Sequence, residues 1–209
     1  MTYYDNIKQK INDHNATLCI VTKNRTIEQI QHYYDLGERI FGENRAQELL
    51  TKVHMADDIE WHFIGHLQTN KVKDIIPHVA LIHSVDRLDL LPYIEKEAAK
   101  HDKIQEILIQ FNIAREDTKS GIHEDEAEAF LHEVRKYPHI RPRGIMCMGP
   151  HVEDEAAIEE VFEKAHILSE QLKEKDPDMN ILSMGMSQDA ELALKHGSTM
   201  VRIGTALFI

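Results

Sequence analysis

Eight short apolar runs, each joined to the next by a stretch with helical spacing, constrain the fold of this chain more than any other feature. The runs fall at 17–22, 39–42, 60–65, 81–85, 106–111, 144–148, 180–184 and 199–203. They read as strands buried on both faces, because a half-solvated strand would alternate polar with apolar residues. Between them lie 26–36, 46–55, 69–76, 87–100, 124–137, 153–175 and 188–195, where apolar residues recur with helical period. One more helix, 5–12, precedes the first strand. Parallel strands need a long crossover, and each helix supplies one. Eight such units without a Pro-, Gly- or Ser-rich linker predict a single α/β domain over residues 1–209. The expected fold is a (β/α)8 TIM barrel with an extra N-terminal helix; an open doubly wound sheet is the alternative.

Charge and cysteine usage narrow the setting. A formal net charge of −12 disfavours attraction to nucleic acid or to an anionic membrane surface. No apolar run approaches the roughly 20 residues that span a bilayer, and the first residues lack the basic and apolar segments of a secretion signal. Cys19 and Cys147 each sit inside an apolar run and provide no disulfide framework, which fits a reduced compartment. The expectation is a cytoplasmic protein with no nucleic-acid or membrane partner.

Ligands of parallel α/β folds bind at the carboxyl ends of the strands, and the unusual residues of this chain gather there. The first run leads into Lys23. A lysine held at a barrel mouth loses part of its hydration, which favours the neutral amine that attacks an aldehyde. From position alone a lysine that snorkels into solvent is the plainer reading, and only a phosphate site beside it favours the other. The seventh run leads into Ser187, placed to cap the helix 188–195 and to accept or donate at a phosphate. The eighth ends in Arg202-Ile-Gly204-Thr205, a fixed cation, a backbone free to approach a ligand closely, and a hydroxyl. Such a set suits a phosphate monoester on an aromatic ring, with Arg202 facing a ring nitrogen; a surface ion pair is the plainer reading of Arg202. Met146, Met148, Met184 and Met186 lie at strand ends, as core filler or against a ring face.

Other patterns point away from common chemistries. No Gly-x-Gly-x-x-Gly and no P-loop follows the first strand. His62 and His66 are four apart on a strand-like segment, without the glutamate and helix of a zinc-protease motif, so no metal is expected. Thr118-Lys-Ser-Gly121 reads as a solvent loop.

Seven motifs in order resemble one family: Val-Thr-Lys23, Phe41-Gly-Glu-Asn44, Trp61-His-Phe-Ile-Gly-His-Leu-Gln68 with Asn70-Lys71, Ser84-Val-Asp-Arg87, Thr118-Lys-Ser-Gly121, Leu182-Ser-Met-Gly-Met-Ser187, and the segment from Gly197 to Phe208. Together they resemble the pyridoxal phosphate homeostasis proteins over nearly the whole chain. The resemblance implies a fold-type III barrel, similar to the N-terminal domain of alanine racemase, that binds pyridoxal 5'-phosphate (PLP). It implies Lys23 as the Schiff-base lysine, Ser187, Gly204 and Thr205 at the phosphate, Arg202 at the pyridine nitrogen, and Asn44 and Met186 along the ring.

The resemblance further implies a protein that buffers PLP and supplies apo PLP-dependent enzymes without established turnover. Two departures stand out: Thr22 and Asn24 flank the lysine where Ser and Thr are usual, and relatives carry Gly and a short tail where this chain has Ile209. The latter implies a missing last helix or cap. The alternative activity is an amino-acid racemase. It would need a second proton donor, supplied in alanine racemases by a C-terminal β domain for which no residues remain after the barrel; a monomer is therefore expected. A Schiff-base aldolase fits Lys23 and the phosphate groups but not Arg202 as a ring contact.

Overall fold

In the computed structural model, which describes residues 2–208, eight parallel strands close on themselves. They are β1 (Thr17–Val21), β2 (Ile40–Glu43), β3 (Glu60–Phe63), β4 (Val79–Val85), β5 (Gln105–Phe111), β6 (Ile140–Cys147), β7 (Ile181–Ser183) and β8 (Met200–Ile203). The closing pair, β1 with β8, runs in register from Thr17 opposite Met200 to Ile20 opposite Ile203. That pairing excludes the open doubly wound sheet, which would leave both edge strands unpaired. Ile209, where a last helix or cap is expected to be missing, lies outside the described residues.

Helices α1 (Tyr3–Asp13), α2 (Ile27–Asp35), α3 (Ala46–Lys52), α4 (Val72–Ile75), α5 (Leu91–Lys100), α6 (Ala127–Val134), α7 (Glu155–Lys175) and α8 (Ala190–Lys195) surround the barrel. Local chemistry starts several of them. Thr2 with Asp5 and Thr26 with Gln29 form reciprocal capping boxes, and Asp154 caps α7. Single turns of 3-10 helix at Thr69–Lys71, Leu88–Leu90 and Glu124–Glu126 lead into α4, α5 and α6.

The main departure from the expected boundaries is β6, which begins at Ile140 rather than at 144. Pro142 and two arginines hide its start from any apolar pattern. The strand tolerates them through a bulge: Ile107 pairs with Pro142, yet Leu108 pairs with Gly144. Arg143, the extra residue, reaches the Glu106 carboxylate at 2.6 Å.

Two apolar regions result. The larger lies between strands and helices and includes Phe41, Trp61, Phe63, Phe111 and Phe162. The smaller is inside the barrel, where Leu81, Leu108 and Met146 meet Met148 and Ile181. Strand faces alternate, so His83, Gln110 and Ser183 lie two residues on, in a layer nearer the mouth. The lumen is thus apolar where the strands enter and polar where they leave.

Candidate ligand site at the barrel mouth

β1 ends at Val21, and a turn over 22–25 follows, closed by the Arg25 amide donating to the Thr22 carbonyl at 3.0 Å. Asn24 has φ of +58°, a left-handed conformation that asparagine accepts better than most residues. A buried cluster holds this turn from below. The Lys52 ammonium donates to the Thr22 carbonyl at 2.8 Å and to Glu43 Oε1 at 2.5 Å. The Thr22 hydroxyl donates to the same Glu43 oxygen, and the Asn24 amide donates to Glu48 Oε2 at 2.8 Å. Glu43 and Lys52 are both buried. The flanking residues that depart from the usual pattern therefore each find a partner.

Lys23 itself stands at the tip of the turn, exposed. This corrects the expectation of an amine partly desolvated by burial. The strand stops at Val21, one residue short of the expected run and two before Lys23, and Lys52 rather than Lys23 fills the buried cationic position. Asn44, immediately after β2, keeps its Oδ1 buried with no hydrogen-bond partner. Gly65 lets the next strand's end pass close to the Asn44 backbone: a Cβ there would stand 2.1 Å from the Asn44 carbonyl oxygen.

On the opposite flank, Gly185 has φ of +93° and directs the chain from β7 into a turn. Asp189 accepts from the Met186 amide at 2.6 Å and occupies the N-cap position of α8. Ser187, the cap expected from its place before the helix, lies instead in the preceding turn. Its hydroxyl oxygen is 3.5 Å from the Ala206 amide, and its carbonyl accepts from the Tyr3 hydroxyl at 3.3 Å. The loops after β7 and β8 therefore converge on one hydroxyl. Gly204 lies against β1, where a Cβ would be 3.0 Å from the Val21 Cβ. Thr205 and Met186 are exposed beside this turn. The C-terminal segment is pinned to the Lys23 side by Arg25 over the Phe208 ring at 4.9 Å and by the Tyr33 hydroxyl on the Leu207 carbonyl.

Arg202 is buried, so the surface ion pair is excluded for it. Its guanidinium donates to Ser183 Oγ at 2.6 Å and to the Cys147 carbonyl at 3.0 Å. Burial lowers its pKa below the ordinary value. Burial also pushes both thiols up to about 12, so they stay neutral beside it.

Some expected neighbours are apart. His62 faces the lumen, whereas His66 is exposed, 3.9 Å from Asp86 Oδ2. Met146 and Met184 are buried in different apolar regions. The segment 118–121 is tied down rather than free in solvent. Asn112 Nδ2 donates to the Glu116 and Lys119 carbonyls, Gln110 to that of Ser120, and Lys119 Nζ to that of Gly149. His83 and Ser183 join the site only in three dimensions; as interior polar residues of apolar runs they carry a weak signal that face alternation alone sharpens.

The architecture defines the class. The family model "Alanine racemase, N-terminal domain" matches residues 3–209. Relatives then specify the member: the chain belongs to the pyridoxal phosphate homeostasis proteins. It is 39% identical over 196 residues to the protein of that name from Aquifex aeolicus, covering 92% of this chain and 86% of the relative. The Helicobacter pylori (strain ATCC 700392 / 26695) homeostasis protein is 40% identical over 199 residues, with 93% and 88% covered. Among solved structures, PipY of Synechococcus elongatus with PLP bound superposes with a TM-score of 0.85 at 31% identity, 93% of each chain covered. An alanine racemase of Clostridium difficile has a TM-score of 0.81 at 15% identity, with 97% of this chain and 56% of the racemase covered, a likeness of fold alone. No described helix is long and apolar enough to cross a membrane.

Proposed function

We propose that this chain binds PLP at the barrel mouth and serves intracellular PLP homeostasis by holding the cofactor rather than turning over a substrate. The observation that carries this reading is the convergence of the Lys23 turn, the Ser187 hydroxyl with the Ala206 amide, and the buried Arg202 on the carboxyl ends of β1, β7 and β8. Support also comes from the PLP-bound relative and from the shared name of the sequence relatives.

PLP, when bound, supplies a reactive aldehyde, an aromatic ring and a dianionic phosphate. Lys23 provides the amine that holds the aldehyde carbon. Its exposure in the turn leaves it free to meet an incoming ligand, and the cluster beneath fixes where the turn stands. Ser187, Gly204 and Thr205 receive the phosphate: the hydroxyls and the backbone amides after β8 donate, and the bare Gly204 lets the backbone approach. Arg202 donates to the ring nitrogen. A permanent cation there keeps that nitrogen unprotonated and weakens the ring as an electron sink, which suits holding over catalysis. The unpaired Asn44 Oδ1 fits a ring hydroxyl, and Met186 covers a ring face. Delivery to apo PLP-dependent enzymes, a monomeric state, a cytoplasmic site and a single domain over 1–209 belong to the same reading.

The test is the visible spectrum of the protein incubated with PLP, before and after borohydride, followed by peptide mapping. A yellow band that reduces to a stable pyridoxyl adduct on Lys23 is the expected result. A colourless, unlabelled protein overturns the reading. Solvent deuterium entering Cα of added amino acids would show a racemase instead.

A further inference from the structure

The polar layer of the lumen contains a continuous chain of four buried side chains on four strands. Arg202 of β8 donates to Ser183 Oγ of β7 at 2.6 Å. Ser183 Oγ lies 3.0 Å from Nδ1 of His83 on β4. His83 Nε2 lies 2.9 Å from Nδ1 of His62 on β3. His83 and Ser183 are fully buried, and His62 and Arg202 nearly so.

The direction of the chain follows from counting protons. A guanidinium only donates, so Ser183 Oγ accepts from Arg202. Among the described residues the only other side-chain partner of that hydroxyl is His83 Nδ1. If His83 Nδ1 carried a proton and donated, the serine proton would be buried without an acceptor, the costlier arrangement. The serine therefore donates to His83 Nδ1. A neutral imidazole then has its proton on Nε2, which donates to His62 Nδ1, and His62 in turn is protonated on Nε2. Protonating either ring doubly would break a link and place a second buried cation beside Arg202.

We propose that Ser183 and His83 are positioning residues for Arg202, joined with His62 in a one-way hydrogen-bond chain from Arg202 to Ser183 to His83 to His62. Two donors of Arg202 are spent on Ser183 and the Cys147 carbonyl, which fixes the guanidinium plane. Its remaining N–H groups are then presented to a ligand in one orientation. This last step rests on the PLP reading of the site; the chain itself does not.

The experiment has two arms. In the first, 15N-histidine-labelled full-length protein without PLP is studied by long-range 1H–15N NMR at neutral pH. His62 and His83 should both be neutral with protons on Nε2. An Nδ1–H tautomer or a doubly protonated ring at either position overturns the chain.

In the second, PLP is titrated spectroscopically into a double-mutant cycle of Ser183→Ala and Arg202→Met. Ser183→Ala should weaken binding about two- to tenfold, the factor carried by one ordinary hydrogen bond. The effect should vanish when Arg202→Met is present. Equal losses in both backgrounds would make Ser183 a packing residue and overturn the positioning role. Failure of the unaltered protein to bind PLP would sink the site reading and the role of Arg202 toward a ring, while the tautomers still report on the chain.

Discussion

Lys23 and Lys52 show how differently one residue type behaves on either side of a single turn. Lys52 is buried against Glu43 and holds the Thr22 carbonyl, whereas Lys23, on the tip, touches no charged partner among the described residues. Replacing Lys52 with Met leaves the Glu43 carboxylate buried without its cation, which should cost about 3–5 kcal/mol in denaturant unfolding. The double variant Lys52→Met, Glu43→Leu should recover most of that loss, because the uncompensated charge is gone. Lys23→Arg, by contrast, should change stability by less than about 0.5 kcal/mol. It should abolish borohydride labelling by PLP, since a guanidinium is not a nucleophile at neutral pH.

At the scale of elements, two glycines with positive φ separate strain from crowding. Gly144 sits in the β6 bulge with φ of +150°, and a Cβ there would be 1.8 Å from the Ile181 carbonyl oxygen. Gly144→Ala must both strain the backbone and push β7 away. It should destabilise by at least about 2 kcal/mol and lower the thermal midpoint accordingly. Gly37, just past α2, has φ of +96°, and a Cβ added there would meet nothing within 4 Å. Gly37→Asn should cost well under about 1 kcal/mol, since asparagine also serves after a helix end. A comparison of the two midpoints checks both expectations. The bulge matters beyond β6, because it brings the lumen face of that strand to Met146 opposite Gln110 and Ser183.

For the whole molecule, the buried histidines couple acidity to folding. Burial holds His62 down to about 4, and burial with the His62 and Arg202 charges holds His83 well below 6.5. In the unfolded chain both titrate near 6.5. Between those values the unfolded state binds more protons, so stability is complete above about 6.5 and falls as pH drops toward 4. The slope should be on the order of 1 kcal/mol per pH unit for each histidine. Urea unfolding across that window should show it, and the double variant His62→Asn, His83→Gln should flatten it. A pH-independent midpoint from 6.5 to 4 would contradict the buried, neutral state of both rings.

The repeated switch between strand and helical periods determined the barrel and nearly all its elements, because each buried strand must be apolar and each crossover amphipathic along its own length. The start of β6 escaped for the same reason in reverse: Arg141, Pro142 and Arg143 break the local pattern, and only pairing with β5 accommodates them. Motif order brought Arg202, Ser187 and Gly204 into view, since their residue types at those spacings imply a chemistry. What the sequence left open was which cation is buried, which residue caps α8, and which polar side chains share the lumen. Those are matters of depth and of contact between strands distant in the chain. Lys52, Asp189 and the link from His62 through His83 and Ser183 to Arg202 take their places only once the barrel closes. Closure removes water from the lumen, and each polar group there must then find its partner on another strand.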